Sequence, residues 1–215
     1  MTAELGFVHQ FIPGSSKRTL LLLHGTGGDE QQLIPLGREL DPAAAILSPR
    51  GRVLENGNAR FFRRLAEGVF DLDDLKAQTD ALTEFVRQAA GRYRFDLENL
   101  VAIGYSNGAN IAASILLRQP GLLPAALLLR AMLPFHPEEL PDLSGVEIWI
   151  AGGKQDMLIP RSNTERLAEM LSEAGAEVTA HFFEAGHPLT NTELVLARRW
   201  LDARTARREG VVREG

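Results

Sequence analysis

Six short apolar runs, set between stretches of helical periodicity, constrain this chain more than any other feature. They are TLLLL (19–23), AAILSP (44–49), LVAIGY (100–105), AALLLR (125–130), EIWIAG (147–152) and EVTAHFF (177–183). A strand covered on both faces has no side left for polar residues, so it reads as an unbroken apolar run. Between the runs, Leu72, Leu75, Leu82, Phe85, Val86 and Ala89 mark one stripe of a long amphipathic helix. Ile111, Ile115 and Leu116 mark a second helix, ended by Gln119-Pro120-Gly121. Leu167, Met170 and Leu171 mark a third, closed by Gly175, and Leu194, Val195, Ala197, Arg198 and Leu201 a fourth. Strands that alternate with helices run parallel and are joined by right-handed crossovers. The expectation is an α/β protein with a mostly parallel central sheet of about seven strands and helices on both faces. GFVHQFI (6–12), the PGSSK turn and TLLLLHG read as a hairpin leading into a buried central strand. Asp71, Asp73 and Asp74 crowd the first turn of the long helix, where negative charge suits the helix end better than a metal would.

The 215 residues carry no internal repeat, low-complexity tract or linker-like stretch, so residues 1–202 are expected to form one domain. Beyond it, 203–215 reads as a charged tail that frays: Arg204, Arg207, Arg208 and Arg213 are interleaved with Asp202, Glu209 and Glu214. A formal net charge of −5 with no concentrated basic face argues against nucleic acid. There is no cysteine, which excludes disulfides, thiolate metal sites and a cysteine nucleophile. The start, MTAELGFVHQ, lacks the basic and apolar regions of a secretory signal, and no apolar run approaches a membrane span. A cytoplasmic protein without a membrane partner is the expectation. The alanine- and leucine-rich surface is compatible with a homodimer.

GYSNGAN (104–110) places a lone hydroxyl where an apparent strand turns into an apparent helix. Gly104-Tyr105-Ser106-Asn107-Gly108 fits G-x-S-x-G, in which the serine sits on a sharp elbow between small neighbours. The helix that follows points partial positive charge at any oxyanion formed beside Ser106. A serine hydroxyl needs a base, and the base needs an orienting acid. Three histidines follow Ser106. His136 lies in a proline-bounded loop and His181 within a strand. His187, in EAGHPLT, lies past a strand end and is the best base. Asp156 leaves the end of the preceding strand and is the preferred acid, with Glu184 the alternative from the same strand as His187. Asp142 lies at the wrong end of the sheet, and Asp202 on the last helix. Two backbone N–H groups should bind the oxyanion: Asn107, after the serine, and Thr26 in the early loop HGTGGD. That loop fits neither dinucleotide- nor phosphate-binding glycine patterns. His24 before it reads as a structural hydrogen-bonder. The histidines are widely separated and H-E-x-x-H is absent, so neither a metal nor another cofactor is expected.

Taken together, LLLHGTGGDE, SPRGRVLENGNARFFRR, GYSNGAN, RAMLPF, AGGKQDMLIP and EAGHPLT resemble, in order and spacing, the phospholipase/carboxylesterase family of serine α/β-hydrolases. The resemblance runs from about Gly6 to Leu201 and is nearest the small bacterial carboxylesterase branch. It implies the α/β-hydrolase fold without a lid domain, Ser106, Asp156 and His187 as a triad, and the Thr26 and Asn107 amides as the oxyanion hole. Many members have leucine and glutamine where this chain has Thr26 and Asn107. Both positions act through the backbone, so the difference bears on the pocket wall.

The expected activity is hydrolysis of small, uncharged or aromatic carboxylic esters through an acyl-enzyme. Acyl thioesters, lysophospholipids or dienelactone-type lactones would use the same machinery. A ligand-binding member of the fold that does no chemistry is the rival from another class. The connection 50–70 has no clear periodicity, and long loops of that kind are more often functional than idle. Phe61, Phe62, Met132, Leu133 and Leu158 are candidate pocket residues on loops at the catalytic end. Arg60, Arg63 and Arg64 receive no role.

Overall fold

The computed structural model describes residues 5–214, with side-chain surroundings given through Arg207. In chain order the elements are β1 (His9–Ile12), β2 (Thr19–Leu23), α1 (Ile34–Leu40) and β3 (Ala45–Pro49). Four short strands follow: β4 (Val53–Glu55), β5 (Asn58–Arg60), β6 (Arg64–Ala66) and β7 (Val69–Phe70). Then come α2 (Leu72–Tyr93), β8 (Leu100–Tyr105), α3 (Asn107–Arg118), β9 (Ala125–Leu129) and β10 (Glu147–Gly153). The last are α4 (Arg161–Glu173), β11 (Glu177–Phe183) and α5 (Asn191–Glu214). Seven strands form one sheet in the order β1-β3-β2-β8-β9-β10-β11, parallel except for β1. This is the α/β-hydrolase fold.

The apolar runs split their residues between two helix layers. Leu21, Leu23, Ala102, Leu128, Ile148 and Ile150 face the layer that includes α2, α3 and α4. Their neighbours Leu20, Leu22, Val101, Ile103, Leu127, Leu129 and Trp149 face the layer of α1 and α5. Full burial of a leucine or isoleucine contributes roughly 1.5–3 kcal/mol, so these strands anchor everything that projects from their ends. At the head of α2, the Asp71 carboxylate caps the helix by accepting from the Asp74 N–H, with Asp73 and Asp74 in the first turn.

Three expectations need correction. The first strand does not form a hairpin with β2; it pairs antiparallel with β3, His9 opposite Pro49 and Ile12 opposite Ile46. Both edges of β2 are taken by parallel neighbours, so β1 cannot pair with it and joins the outer edge of β3 instead. The PGSSK turn instead crosses the start of β3, where the Ser15 and Ser16 N–H groups donate to the Ala43 carbonyl. The segment 50–70 is not an unstructured loop either, but two small hairpins, β4–β5 and β6–β7. Asn56 and Gly57 turn the first with φ of 52° and 81°, the left-handed pair that a two-residue hairpin turn requires. Finally, 203–207 continue α5 rather than fray. Arg204 is 4% exposed and paired with Glu147 at 3.0 Å, and Arg207 meets the same carboxylate. Arg18 reaches Asp41, the Leu201 carbonyl and Thr205. The side chains of Arg208, Glu209, Arg213 and Glu214 lie outside the described residues. Among the described residues no helix is long and apolar enough to cross a membrane.

Candidate active site

Ser106 sits where β8 becomes α3, with φ 53° and ψ −113°. A serine is rarely found at positive φ, and such strain persists only where the surroundings over-determine it. Here they do. The Ser106 N–H donates to the Leu129 carbonyl of the next strand at 2.8 Å. A β-carbon on Gly104 would lie 2.5 Å from the Gly108 carbonyl, and one on Gly108 would run into the Leu23 carbonyl. Only glycines at both positions let α3 press against β8 and β2 with the serine held proud between them.

His187 reaches Ser106 from the loop after β11, its Nε2 3.0 Å from Ser106 Oγ. Its Nδ1 lies 2.8 Å from Asp156 Oδ2. Asp156 follows β10, its side chain is 1% exposed, and its Oδ1 accepts from the Leu158 and Ile159 N–H groups at 2.9 and 3.1 Å. The alternative acid, Glu184, points away and pairs with Lys154. His181 packs among Trp149 and Phe183, and exposed His136 lies beside Arg166. The structure therefore brings Ser106, His187 and Asp156 into one hydrogen-bonded line and leaves the other candidates out of it.

Two residues that received no role in the sequence reading hold the His187 loop. Arg130, at the end of β9, has no exposed surface and φ 58°. Its guanidinium donates to the Gly186 carbonyl at 3.0 Å, the Pro188 carbonyl at 3.0 Å and the Ala151 carbonyl at 3.3 Å. It also forms a two-pronged pair with Glu193 at 2.9 and 2.7 Å and lies 3.9 Å from Asp156 Oδ2. The Tyr105 hydroxyl donates to the His187 carbonyl at 3.2 Å. Burial raises the pKa of that phenol, which keeps it a donor. The signal for Arg130 was present in AALLLR, a cation directly after an all-apolar strand. Its partner Glu193 lies 63 residues further on.

Thr26 and Asn107 flank the serine, and among the described residues neither backbone N–H is hydrogen-bonded. His24 behind Thr26 is a structural bridge: Nδ1 donates to the Gly25 carbonyl at 2.7 Å and Nε2 accepts from the Gly51 N–H at 2.9 Å. That pattern belongs to a neutral imidazole, and burial lowers its pKa accordingly.

A cavity of about 350 Å³ opens over Ser106. Met132 and Leu158 line it as expected, together with Phe70, Ile159, Gly68 and Asn110. Phe61, Phe62 and Leu133 do not. Phe61 is 1% exposed and packs on the His24 ring, and Phe62 packs edge-on behind Phe70. Leu133 packs against the core while its N–H donates to Asn163. Arg60 and Arg64 do reach the cavity wall. Arg63 instead stays outside on Asp71 and Asp74. Arg64 grips both Glu55 oxygens at 2.9 and 3.1 Å and holds that carboxyl below its usual pKa. For Arg60, burial and then the neighbouring Arg64 charge lower the guanidinium pKa, opposed by Glu55.

Comparison with known proteins finds hydrolases of the same fold. The Bacillus subtilis protein MhqD is 45% identical over 192 residues, spanning 89% of this chain and 96% of MhqD. The solved structure of a Bacillus cereus carboxylesterase is 47% identical, with a TM-score of 0.88 over 90% of this chain and 92% of that one. A carboxylesterase from Mesorhizobium loti is 33% identical, with a TM-score of 0.88 over 94% and 97% of the two chains. The sequence profile of the dienelactone hydrolase family matches residues 54–205, which include Ser106, Asp156 and His187. The chain belongs to the dienelactone hydrolase family and is a hydrolase of the α/β-hydrolase fold.

Proposed function

We propose that this protein is a serine carboxylester hydrolase that works through an acyl-enzyme on Ser106. The observation that carries this reading is the line Asp156–His187–Ser106, with contacts of 2.8 and 3.0 Å, ending on a strained elbow at the floor of the cavity. Asp156 keeps the imidazole proton on Nδ1, so the Nε2 lone pair faces the serine hydroxyl. Ser106 Oγ attacks the ester carbonyl as His187 takes its proton, and the carbonyl oxygen becomes an oxyanion. The Thr26 and Asn107 N–H groups then donate to it, each worth about 3–4 kcal/mol in the transition state. His187 returns the proton to the leaving alcohol. Water repeats the sequence and releases the acid.

A cavity of about 350 Å³ suits a small acyl group. Met132, Phe70, Leu158 and Ile159 offer it an apolar wall. A lactone is the second reading, favoured by the family match; the same attack would open the ring and keep the alcohol on the acyl chain. Fluorophosphonate labelling tests the chemistry, and a panel of aryl esters, thioesters and lactones of graded size tests the substrate. Labelling of the native protein but not of Ser106→Ala is expected, with Ser106→Ala losing at least about 10⁴-fold in kcat. Absence of labelling in the native protein would favour a ligand-binding member of the fold.

A further inference from the structure

Three consecutive residues at the end of β5 reach across both proposed oxyanion donors. The Ala59 carbonyl accepts from the Gly27 N–H at 2.9 Å. The Arg60 Nη1 donates to Thr26 Oγ1 at 2.7 Å. The Phe61 N–H donates to Asn107 Oδ1 at 2.8 Å. We propose that Arg60 is a positioning residue for the oxyanion hole, fixing the Thr26 backbone N–H through the Thr26 side chain. The inference rests on reading the Thr26 and Asn107 amides as the oxyanion donors.

The need for such a residue follows from the loop. Thr26 is exposed and lies between Gly25 and Gly27, which give the backbone wide freedom. An oxyanion donor acts only if it already points at the place where charge develops, since reorganising it during the reaction forfeits the gain. The Asn107 N–H is set by the first turn of α3. The Thr26 N–H lies in a turn that the Gly28 N–H closes on the Gly25 carbonyl at 3.1 Å, with Gln32 Oε1 accepting from the Gly25 N–H at 3.0 Å. This turn lacks only an anchor at Thr26 itself. Arg60 supplies one. It is 3% exposed, and a buried arginine requires partners. It has them in Thr26 Oγ1, the Phe62 carbonyl at 3.2 Å and Glu55 at 3.6 Å. With Ala59 holding Gly27 and Phe61 holding Asn107, one short strand end sets the two donors relative to each other.

Charge explains why the position suits arginine rather than an apolar residue. Arg60 and Arg64 share the Glu55 carboxylate, while the other carboxylate of the cavity wall, Glu67, is exposed and its charge is screened by solvent. Arg60 lines the cavity beside Ser106, where negative charge appears during acyl transfer. A neutral hydrogen-bonding residue would hold Thr26 without that field.

The test compares kcat and KM on a short aryl ester for the native protein, Arg60→Met, Arg60→Lys, Thr26→Val and the Arg60→Met/Thr26→Val double variant, with Ser106→Ala as control. Thr26→Val keeps the backbone N–H and removes only the acceptor for Arg60. Arg60→Met and Thr26→Val are each expected to lower kcat about tenfold, with KM within about twofold. The double variant should be no worse than the poorer single one, and Arg60→Lys should recover part of the loss. Unchanged kcat in Arg60→Met and Thr26→Val, a loss confined to KM, or losses that multiply would overturn the assignment. If Arg60→Met fails to fold, Arg60→Lys and Thr26→Val carry the test, because Thr26 is at the surface. An active Ser106→Ala would instead remove the serine mechanism itself, and with it the oxyanion hole that Arg60 serves.

Discussion

The two halves of the site are held by matching devices in different surroundings. On the acid–base half, three successive carbonyls, Gly186, His187 and Pro188, are gripped by Arg130, Tyr105 and again Arg130. On the oxyanion half, Ala59, Arg60 and Phe61 grip Gly27, Thr26 and Asn107. Arg130 has its own buried carboxylate in Glu193 and is sealed in the core. Arg60 shares Glu55 with Arg64 and faces the cavity. A sealed ion pair is part of what keeps the chain folded, because removing one partner strands the other's charge. A residue at a cavity wall leaves its neighbours in reach of solvent when it is lost. Arg130 and Arg60 should therefore fail differently, the first through folding and the second through rate.

The largest expected effect is on Arg130. Arg130→Met leaves the Glu193 carboxylate buried without its guanidinium, and the cost should be about 3–5 kcal/mol. Urea unfolding measures it, and the thermal midpoint should drop roughly 2–4 °C per kcal/mol. Replacing Glu193 as well, as Arg130→Met/Glu193→Leu, should restore much of the stability but not the activity, since the carbonyls around His187 stay unheld. Full recovery of both would show that Arg130 does no more than neutralise Glu193. A smaller effect is expected from Tyr105→Phe, which removes one hydrogen bond worth about 0.5–1.5 kcal/mol. Its kcat should fall a fewfold, and its stability by no more than that amount. An unchanged rate would mean that Arg130 alone orients the histidine.

The smallest effect concerns pH and belongs to the oxyanion half. Burial lowers the His24 pKa in the folded chain. Below the ordinary histidine value of about 6.5, the unfolded chain takes up the proton first, so stability falls as the pH falls. Above that value the contribution is fully present. His24→Gln removes the effect, so the stability advantage of the native protein over this variant should shrink between about pH 7.5 and 5. A constant difference across that range would contradict the buried neutral bridge between Gly25 and Gly51. A further acid-side loss is expected from Glu30, whose pKa the Arg50 hydrogen bonds hold down, and this one begins as the pH falls through the usual glutamate range and continues below it.

The same division separates what the chain discloses in one dimension from what it does not. The elbow is legible because Gly104, Ser106 and Gly108 meet a local demand, the passage from a buried strand into a helix. Asp156 and His187 are legible because each follows a strand end. The pairing of β1 with β3 is not, because it depends on which edge the other strands leave open. Phe61 and Phe62 lie next to cavity-lining Arg60, and nothing in FFRR says which side chains turn inward. The first hairpin of 50–70 did carry a signal, the Asn56-Gly57 pair, whose force depends on strands too short to show a pattern. Arg130 and Arg204 look like surface charges until Glu193 and Glu147 are brought to them across the fold.

The most direct test is the mass of the intact protein, quenched during turnover of an activated aryl ester and then mapped by peptide. The account predicts one acyl group, carried on Ser106, that forms in the native protein and is absent from Ser106→Ala. Continued turnover with no acylated protein, or an acyl group on any other residue, would contradict it.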